Sequence, residues 1–374
     1  MNGIVIPEVV MGVALAKAGI DRIRPHMIGQ PAGSALPATV FLNSNESIFG
    51  PSALAVTAAR AAFTGIERYL ETPDQLLVPA IATRFDLDPD RIAIGQGSDD
   101  LLARLARAYL GPGTELIRSA NGYLKVPNYA YANDADVVSV PDNEFVPSVD
   151  GLISAITEKT RIVYLANPEN PAGTYLSGAE LRRLHAALPE TVLLVIDCAY
   201  AEYAEASDYE PAHRLVEQSQ NVVMCRTFSK VYGLAGARVG WIYAPVDVVD
   251  AVRRIALTFP VATPSVAAAI AALDDRAHTQ AVIDMNRRGR AWMSAQMQAL
   301  GLSVIPSQAN FVLVHFPDPE FPATAVDATL RQRGIAIRRL AAPAYREFIR
   351  ITIGHDHDLL RTRDVISGFL DGSA

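Results

Sequence analysis

Apolar and polar positions in this chain fall into blocks. Short apolar runs of strand length cover 91–94, 114–119, 135–141, 161–166, 191–197 and 222–225, most of them followed by Gly-, Pro- or Asn-containing turns. Between them the apolar spacing becomes helical. An Ala-rich helix is predicted over 53–64 with Ser52 as N-cap, another opens at Leu101 and carries Leu102, Leu105 and Tyr109, and two more lie near 148–158 and 177–187. Strand runs without polar alternation imply a sheet buried on both faces, and their alternation with helices predicts a mainly parallel sheet. The texture changes after a helix near 246–258. Helices at 265–273 and 275–300, strands at 302–305, 310–315, 335–338 and 348–353, and a terminal helix at 358–370 predict a second, smaller α+β domain. No internal repeat appears.

The N-terminal stretch 4–20 is apolar but has no basic lead and contains Glu8, so it reads as a helix or arm packed on the fold. Residues 18–45 are loop-like, with Pro25, Pro31, Gly33 and Pro37 spaced through them. A chain of 374 residues, half of them apolar, can bury a large core and hold two domains. Its net charge of −7 disfavours nucleic acid and anionic membrane as main partners. Cys198 and Cys225 both sit in apolar strand-like runs and read as buried thiols in a reducing compartment. No stretch has the length of an uninterrupted transmembrane span, and a cytoplasmic location is expected.

Four strand ends bring polar groups to one rim: 95–100, 167–173, 197–200 and 226–230. The chain has four lysines against twenty-nine arginines, and one of the four, Lys230, follows a buried strand at that rim. A desolvated lysine can lose its proton and form an imine, which arginine cannot; a structural lysine is the alternative. Asp197 ends the strand 191–197, where a buried carboxylate must be either paired or functional. Gly95-Gln96-Gly97-Ser98-Asp99 opens a helix whose first amides can seat a phosphate, although alone it is an ordinary capped helix start. Asn167-Pro168-Glu169-Asn170-Pro171-Ala172-Gly173 makes a rigid loop that fixes an amide side chain or serves as a structural turn. His355 and His357 alternate like metal ligands, but no carboxylate or Cys cluster of suitable spacing joins them.

Taken in order, FLNSNESIFGPS, ERYLE, GQGSDDLL, ANPENPAG, DCAYAEY, RTFSKVYGLAGARVGW, SQANFVL and FIRITIG resemble the fold-type I enzymes that use pyridoxal 5'-phosphate, and among them the histidinol-phosphate aminotransferase branch. The resemblance implies an α/β fold: a mainly parallel seven-stranded-type sheet in a large cofactor-binding domain (45–255), a small α+β domain (256–374), and an N-terminal arm (1–44). It implies that Lys230 forms a Schiff base with the cofactor and serves as proton shuttle, and that Asp197 pairs with the pyridinium nitrogen. Asn170 and Tyr200 would hydrogen-bond the ring hydroxyl oxygen, and Tyr123 would stack on the ring. The phosphate would sit between the Ser98 and Asp99 amides, the Ser229 hydroxyl and Arg238. Tyr69 would reach that phosphate from a partner subunit, which implies a homodimer with shared sites. Arg350, on a strand that alternates with isoleucines, would anchor the acidic group of the substrate with help from Arg338.

The implied reaction is ping-pong transamination between a small amino donor and a 2-oxo acid, histidinol phosphate with 2-oxoglutarate first. An aromatic or other amino-acid aminotransferase is the runner-up, ahead of a decarboxylase or a non-catalytic cofactor-binding module. Some positions depart from the family pattern. Glu169 and Ala172 replace Asn and Thr, Cys198 replaces Glu, Pro25-His26 stands for Pro-Tyr, and Phe49 occupies a turn that usually holds Tyr or Leu.

Overall fold

A computed structural model describes residues 16–23, 40–70, 72–340 and 342–372. The stretch 4–15, Pro25-His26 and most of the arm expected over 1–44 lie outside the described residues.

Among the described residues, twelve strands form two sheets. They are β1 (Val40–Leu42), β2 (Ile92–Gly95), β3 (Glu115–Ser119), β4 (Asp136–Val140), β5 (Thr160–Ala166), β6 (Leu193–Asp197), β7 (Val222–Thr227), β8 (Gly240–Tyr243), β9 (Ser303–Ile305), β10 (Phe311–His315), β11 (Ile335–Arg339) and β12 (Phe348–Thr352). The seven-stranded sheet runs β2-β8-β7-β6-β5-β3-β4. Its strands are parallel except β8, which lies antiparallel between β2 and β7. The five-stranded sheet runs β1-β11-β12-β10-β9, antiparallel but for the parallel β1–β11 pair.

Both faces of the large sheet are buried, as its unbroken apolar strands predict. On β6, Leu194 and Ile196 face one core while Leu193 and Val195 face the other. The helices Gly97–Tyr109 and Val246–Arg254 cover the second face. Ala53–Ala62, Pro73–Phe85 and Thr263–Asp274 cover the first, and Ser52 Oγ accepts from Ala55 N at 3.1 Å as the expected cap.

Several elements go beyond the sequence expectation. Strand β8 is only four residues long and follows a Gly-rich loop, and it forms because both of its edges are paired. β1 is three residues long and pairs with β11. The helix Pro73–Phe85 carries Pro79 in its interior, which masks its helical pattern. The core also crosses the boundary expected at 255: Val266, Ala269 and Leu273 belong to the large core. The 24-residue helix Arg276–Ala299 spans both units, with Val282 in the large core and Met293 and Met297 in the small one.

Candidate active site

The carboxyl ends of the parallel strands open into a cleft of about 350 Å³, lined among others by Ser98, Asp99, Tyr123, Asn170, Asp197 and Lys230. A smaller adjoining space of about 180 Å³ reaches Arg338 and Arg350 on the small sheet. Every residue to which the resemblance gives a cofactor or substrate role therefore lines one of these two spaces, with one exception. Tyr69 is 74% exposed, stacks on Phe259 with ring centroids 4.1 Å apart, and does not line the cleft of its own chain.

Asp197 is the last residue of β6. Its carboxylate accepts from Tyr164 Oη at 3.0 Å and from Ala199 N at 3.2 Å. Burial pushes it up to about 6, against the pull of the Tyr164 hydroxyl, so it is charged at neutral pH. Lys230 Nζ donates to the Ser44 carbonyl at 3.3 Å and lies 5.7 Å from the centre of the Tyr200 ring. Burial first, and the Arg350 cation second, lower its pKa to about 8. Tyr200 is buried, and its hydroxyl oxygen accepts from Asn45 Nδ2 at 3.0 Å.

At the other end of the cleft, polar donors converge. The helix Gly97–Tyr109 starts at Gly97 with φ +80°, and Ser98 and Asp99 follow in its first turn, where amides have no helical partner. A Cβ on Gly97 would come 2.5 Å from Arg238 Nη2. A Cβ on Gly240 of β8 would come 2.5 Å from Ser98 N. Two bare glycines thus let the helix start, β8 and the Arg238 guanidinium close around one small space. Arg238 Nη1 donates to Ser229 Oγ at 3.3 Å, and Thr227 Oγ1 donates to the same oxygen at 3.0 Å. Amides, a hydroxyl and a guanidinium are the donor set that a phosphate dianion needs.

Asp99 puts a carboxylate close to that space. Lys125 Nζ donates to it at 2.8 Å, Tyr129 Oη at 2.6 Å and Tyr123 Oη at 3.3 Å. Burial opposes its charge, but these three donors outweigh burial and hold Asp99 below the usual carboxylate range.

On the small sheet, Arg350 stands opposite Arg338 in the β12–β11 register and on the face away from Ile349 and Ile351. It is buried, with its guanidinium 5.1 Å from the centre of the Phe311 ring. Nη1 donates to Asn170 Oδ1 at 2.7 Å and Nη2 to the Asn43 carbonyl at 3.3 Å. Burial lowers Arg350 to about 10, which leaves it a cation at neutral pH. Asn170 thus joins the two sheets' contributions.

Sequence reasoning missed Asn45, Tyr164, Lys125 and Tyr129. Tyr164 had a signal, being a side chain with a hydrogen-bonding group inside the apolar run 161–166. Lys125 and Asp99 are 26 positions apart and meet only through the fold. Cys198 and Cys225 are buried free thiols as expected, and burial pushes Cys198 up to about 12.

A family model described as aminotransferase class I and II matches residues 38–362. The chain is 43% identical over 339 residues to a histidinol-phosphate aminotransferase of Paramagnetospirillum magneticum, covering 90% of this chain and 93% of that protein. It is 41% identical over 362 residues to that of Rhodospirillum centenum, covering 97% and 100%. The crystal structure of histidinol-phosphate aminotransferase from Sinorhizobium meliloti in complex with pyridoxal-5'-phosphate superposes with a TM-score of 0.85 at 31% identity, over 90% of this chain and 92% of that one. A lysine of lowered basicity beside a buried aspartate, within a fold and a sequence shared at this level, belongs to one lineage: this chain is a member of the class I and II aminotransferase family.

Proposed function

We propose that this chain is a pyridoxal-phosphate-dependent aminotransferase that takes histidinol phosphate as amino donor and 2-oxoglutarate as acceptor, in a step of histidine biosynthesis. The observation that carries the reading is the Lys230 amine, lowered to about 8 and sharing a cleft with the Asp197 carboxylate. The names of the relatives supply the substrate.

The cleft fits the cofactor. The Ser98 and Asp99 amides, the Ser229 hydroxyl and Arg238 would hold its phosphate, and Tyr123 would cover the ring. Tyr200 and the Asn170 amide would face the ring hydroxyl, and Asp197 would hold a proton on the ring nitrogen. When bound, pyridoxal phosphate supplies an aldehyde for amines and a ring that accepts the electron pair left at the substrate's α-carbon. Lys230 Nζ, once free of its carbonyl partner, would take the α-proton and deliver it to the carbon that was the cofactor's aldehyde, so that the amino group stays behind when water releases the oxo product. Arg350, with Arg338 beside it, holds the phosphate or carboxylate of the substrate, and Asn170 keeps Arg350 in place. Asn45, which donates to Tyr200 Oη, keeps that hydroxyl fixed.

The proposed organisation is an arm over 1–44, a large cofactor-binding part over 45–255 and a small part over 256–374 whose first helix, Thr263–Asp274, packs back into the large core. The active unit would be a cytoplasmic homodimer in which Tyr69 reaches the partner's phosphate site. Tyr69, Phe63, Ile66, Leu257 and Phe259 all expose apolar surface, which a second copy would cover.

The protein purified with pyridoxal phosphate should be yellow, and borohydride should fix the cofactor to the peptide containing Lys230. Lys230→Ala should abolish both effects, and labelling at Lys17, Lys125 or Lys159 instead would refute the assignment. If phenylalanine turns over far faster than histidinol phosphate, the substrate part of the reading fails.

A further inference from the structure

Glu169 is a buried carboxyl that the reaction above does not use, at a position where the resembled family carries Asn. Its main chain closes the 167–173 loop: Glu169 N donates to Thr174 O at 2.7 Å and Gly173 N donates to Glu169 O at 2.8 Å. Its side chain faces two other segments. Oε1 accepts from Asn170 N at 3.0 Å, and a Cβ on Gly122 would lie 3.1 Å from each carboxyl oxygen. Oε2 is buried and has no hydrogen-bond partner among the described residues. Gly122 precedes Tyr123, and its carbonyl accepts from Arg118 Nη2 at 2.8 Å. The carboxyl therefore sits between the residue that receives Arg350 and the loop that presents Tyr123.

We propose that Glu169 is a positioning residue for the substrate subsite: it fixes the Asn170 main chain so that Asn170 Oδ1 receives Arg350, and it packs under Gly122 to set the Tyr123 loop. The inference rests on the aminotransferase reading. Among the described residues, ionisable groups near it include Arg118 from β3, Asp142 beyond β4, Tyr164 from β5, Asp197 from β6, Tyr200 beyond it, Tyr345 before β12, and Arg350 of β12, which bonds the adjacent Asn170. Burial outweighs the Asn170 amide and Arg118 and pushes Glu169 up to about 8, so the carboxyl is uncharged at pH 7. While it is uncharged, Arg118 stays on the Ala120 and Gly122 carbonyls. A carboxylate there competes for the guanidinium and loosens the loop.

The test compares Glu169→Gln and Glu169→Ala with the parent as cofactor-loaded enzymes. It uses histidinol phosphate with 2-oxoglutarate for turnover, and succinate binding by calorimetry as a readout that needs none. Glu169→Ala is expected to raise KM for the donor and weaken succinate by about 10-fold while kcat changes less than about 3-fold. Glu169→Gln is expected to stay within about 2-fold of the parent at pH 7. From pH 7 to 9 the parent's KM should climb more steeply than that of Glu169→Gln. Any titration at Lys230 or on the bound cofactor is common to both proteins, so the difference in slope isolates Glu169. Parent-like KM and succinate affinity in Glu169→Ala overturn the proposal, as do equal slopes. If Glu169→Ala does not fold, the comparison of slopes decides. If the parent transaminates no amino donor, the aminotransferase reading falls, and succinate binding still decides the role of Glu169.

Discussion

Lys230 and Asp197 are moved in opposite directions by one cause. Burial penalises whichever form carries charge, so it takes the lysine down to about 8 and the aspartate up to about 6. At pH 7 the aspartate still holds its charge, and the lysine can give up its proton at small cost. In the unloaded protein, labelling of Lys230 by an amine reagent should rise with pH and reach half its maximal rate near pH 8, read by peptide mass mapping. Arg350→Ala removes a neighbouring cation and should move that midpoint upward. Asp197→Ala removes the charge that would face the ring nitrogen, and it should lower kcat by about 100-fold or more, with the fold retained by circular dichroism. Asp99 follows a different logic. Its charge survives burial because Lys125, Tyr129 and Tyr123 donate to it, which keeps a carboxylate tied up beside a site built for an anion.

Among the elements, β8 and the helix Gly97–Tyr109 depend on each other through Gly240. An added methyl there would strike main-chain atoms of Gly97 and Ser98, which cannot swing aside as a side chain can. Gly240→Ala should therefore cost about 1–3 kcal/mol of stability, and it should weaken binding of inorganic phosphate to the unloaded protein, measured by thermal unfolding and calorimetry. The parallel strands of the large sheet and most of the long helices were legible because each carries an apolar run of strand length or a helical period of its own; Pro73–Phe85, interrupted by Pro79, was not. Strand β8 was not, because Gly240-Trp241-Ile242-Tyr243 is too short to show a period and owes its conformation to neighbours on both sides. The candidate site was legible where its polar side chains sit at strand ends, as with Lys230, Asp197 and Asn170. It was not legible where one side chain fixes another across the fold. Asn45 and Tyr200 are 155 positions apart, and nothing local to either residue points to the other.

At the scale of the whole molecule, the large sheet's strand ends supply Lys230 and Asp197 while the small sheet supplies Arg338 and Arg350, so the proposed substrate site lies where the two meet. The exposed Tyr69–Phe259 stack adds a third contribution if a second copy covers it. Chains carrying Tyr69→Phe or Lys230→Ala alone should be impaired, and co-refolded mixtures of the two should regain part of the activity. Verified mixed dimers without recovery would argue against sharing. The helix Arg276–Ala299 adds a mechanical constraint. It is keyed into both cores, Gly289 is pressed so close to Ile353 that a Cβ would come 2.6 Å from its side chain, and Arg290 donates to the Tyr203 and Ala309 carbonyls at 3.3 and 2.9 Å. A strut anchored at both ends braces the small sheet against the large one, and Arg338 and Arg350, facing each other on adjacent strands, keep a fixed mutual spacing above the lysine.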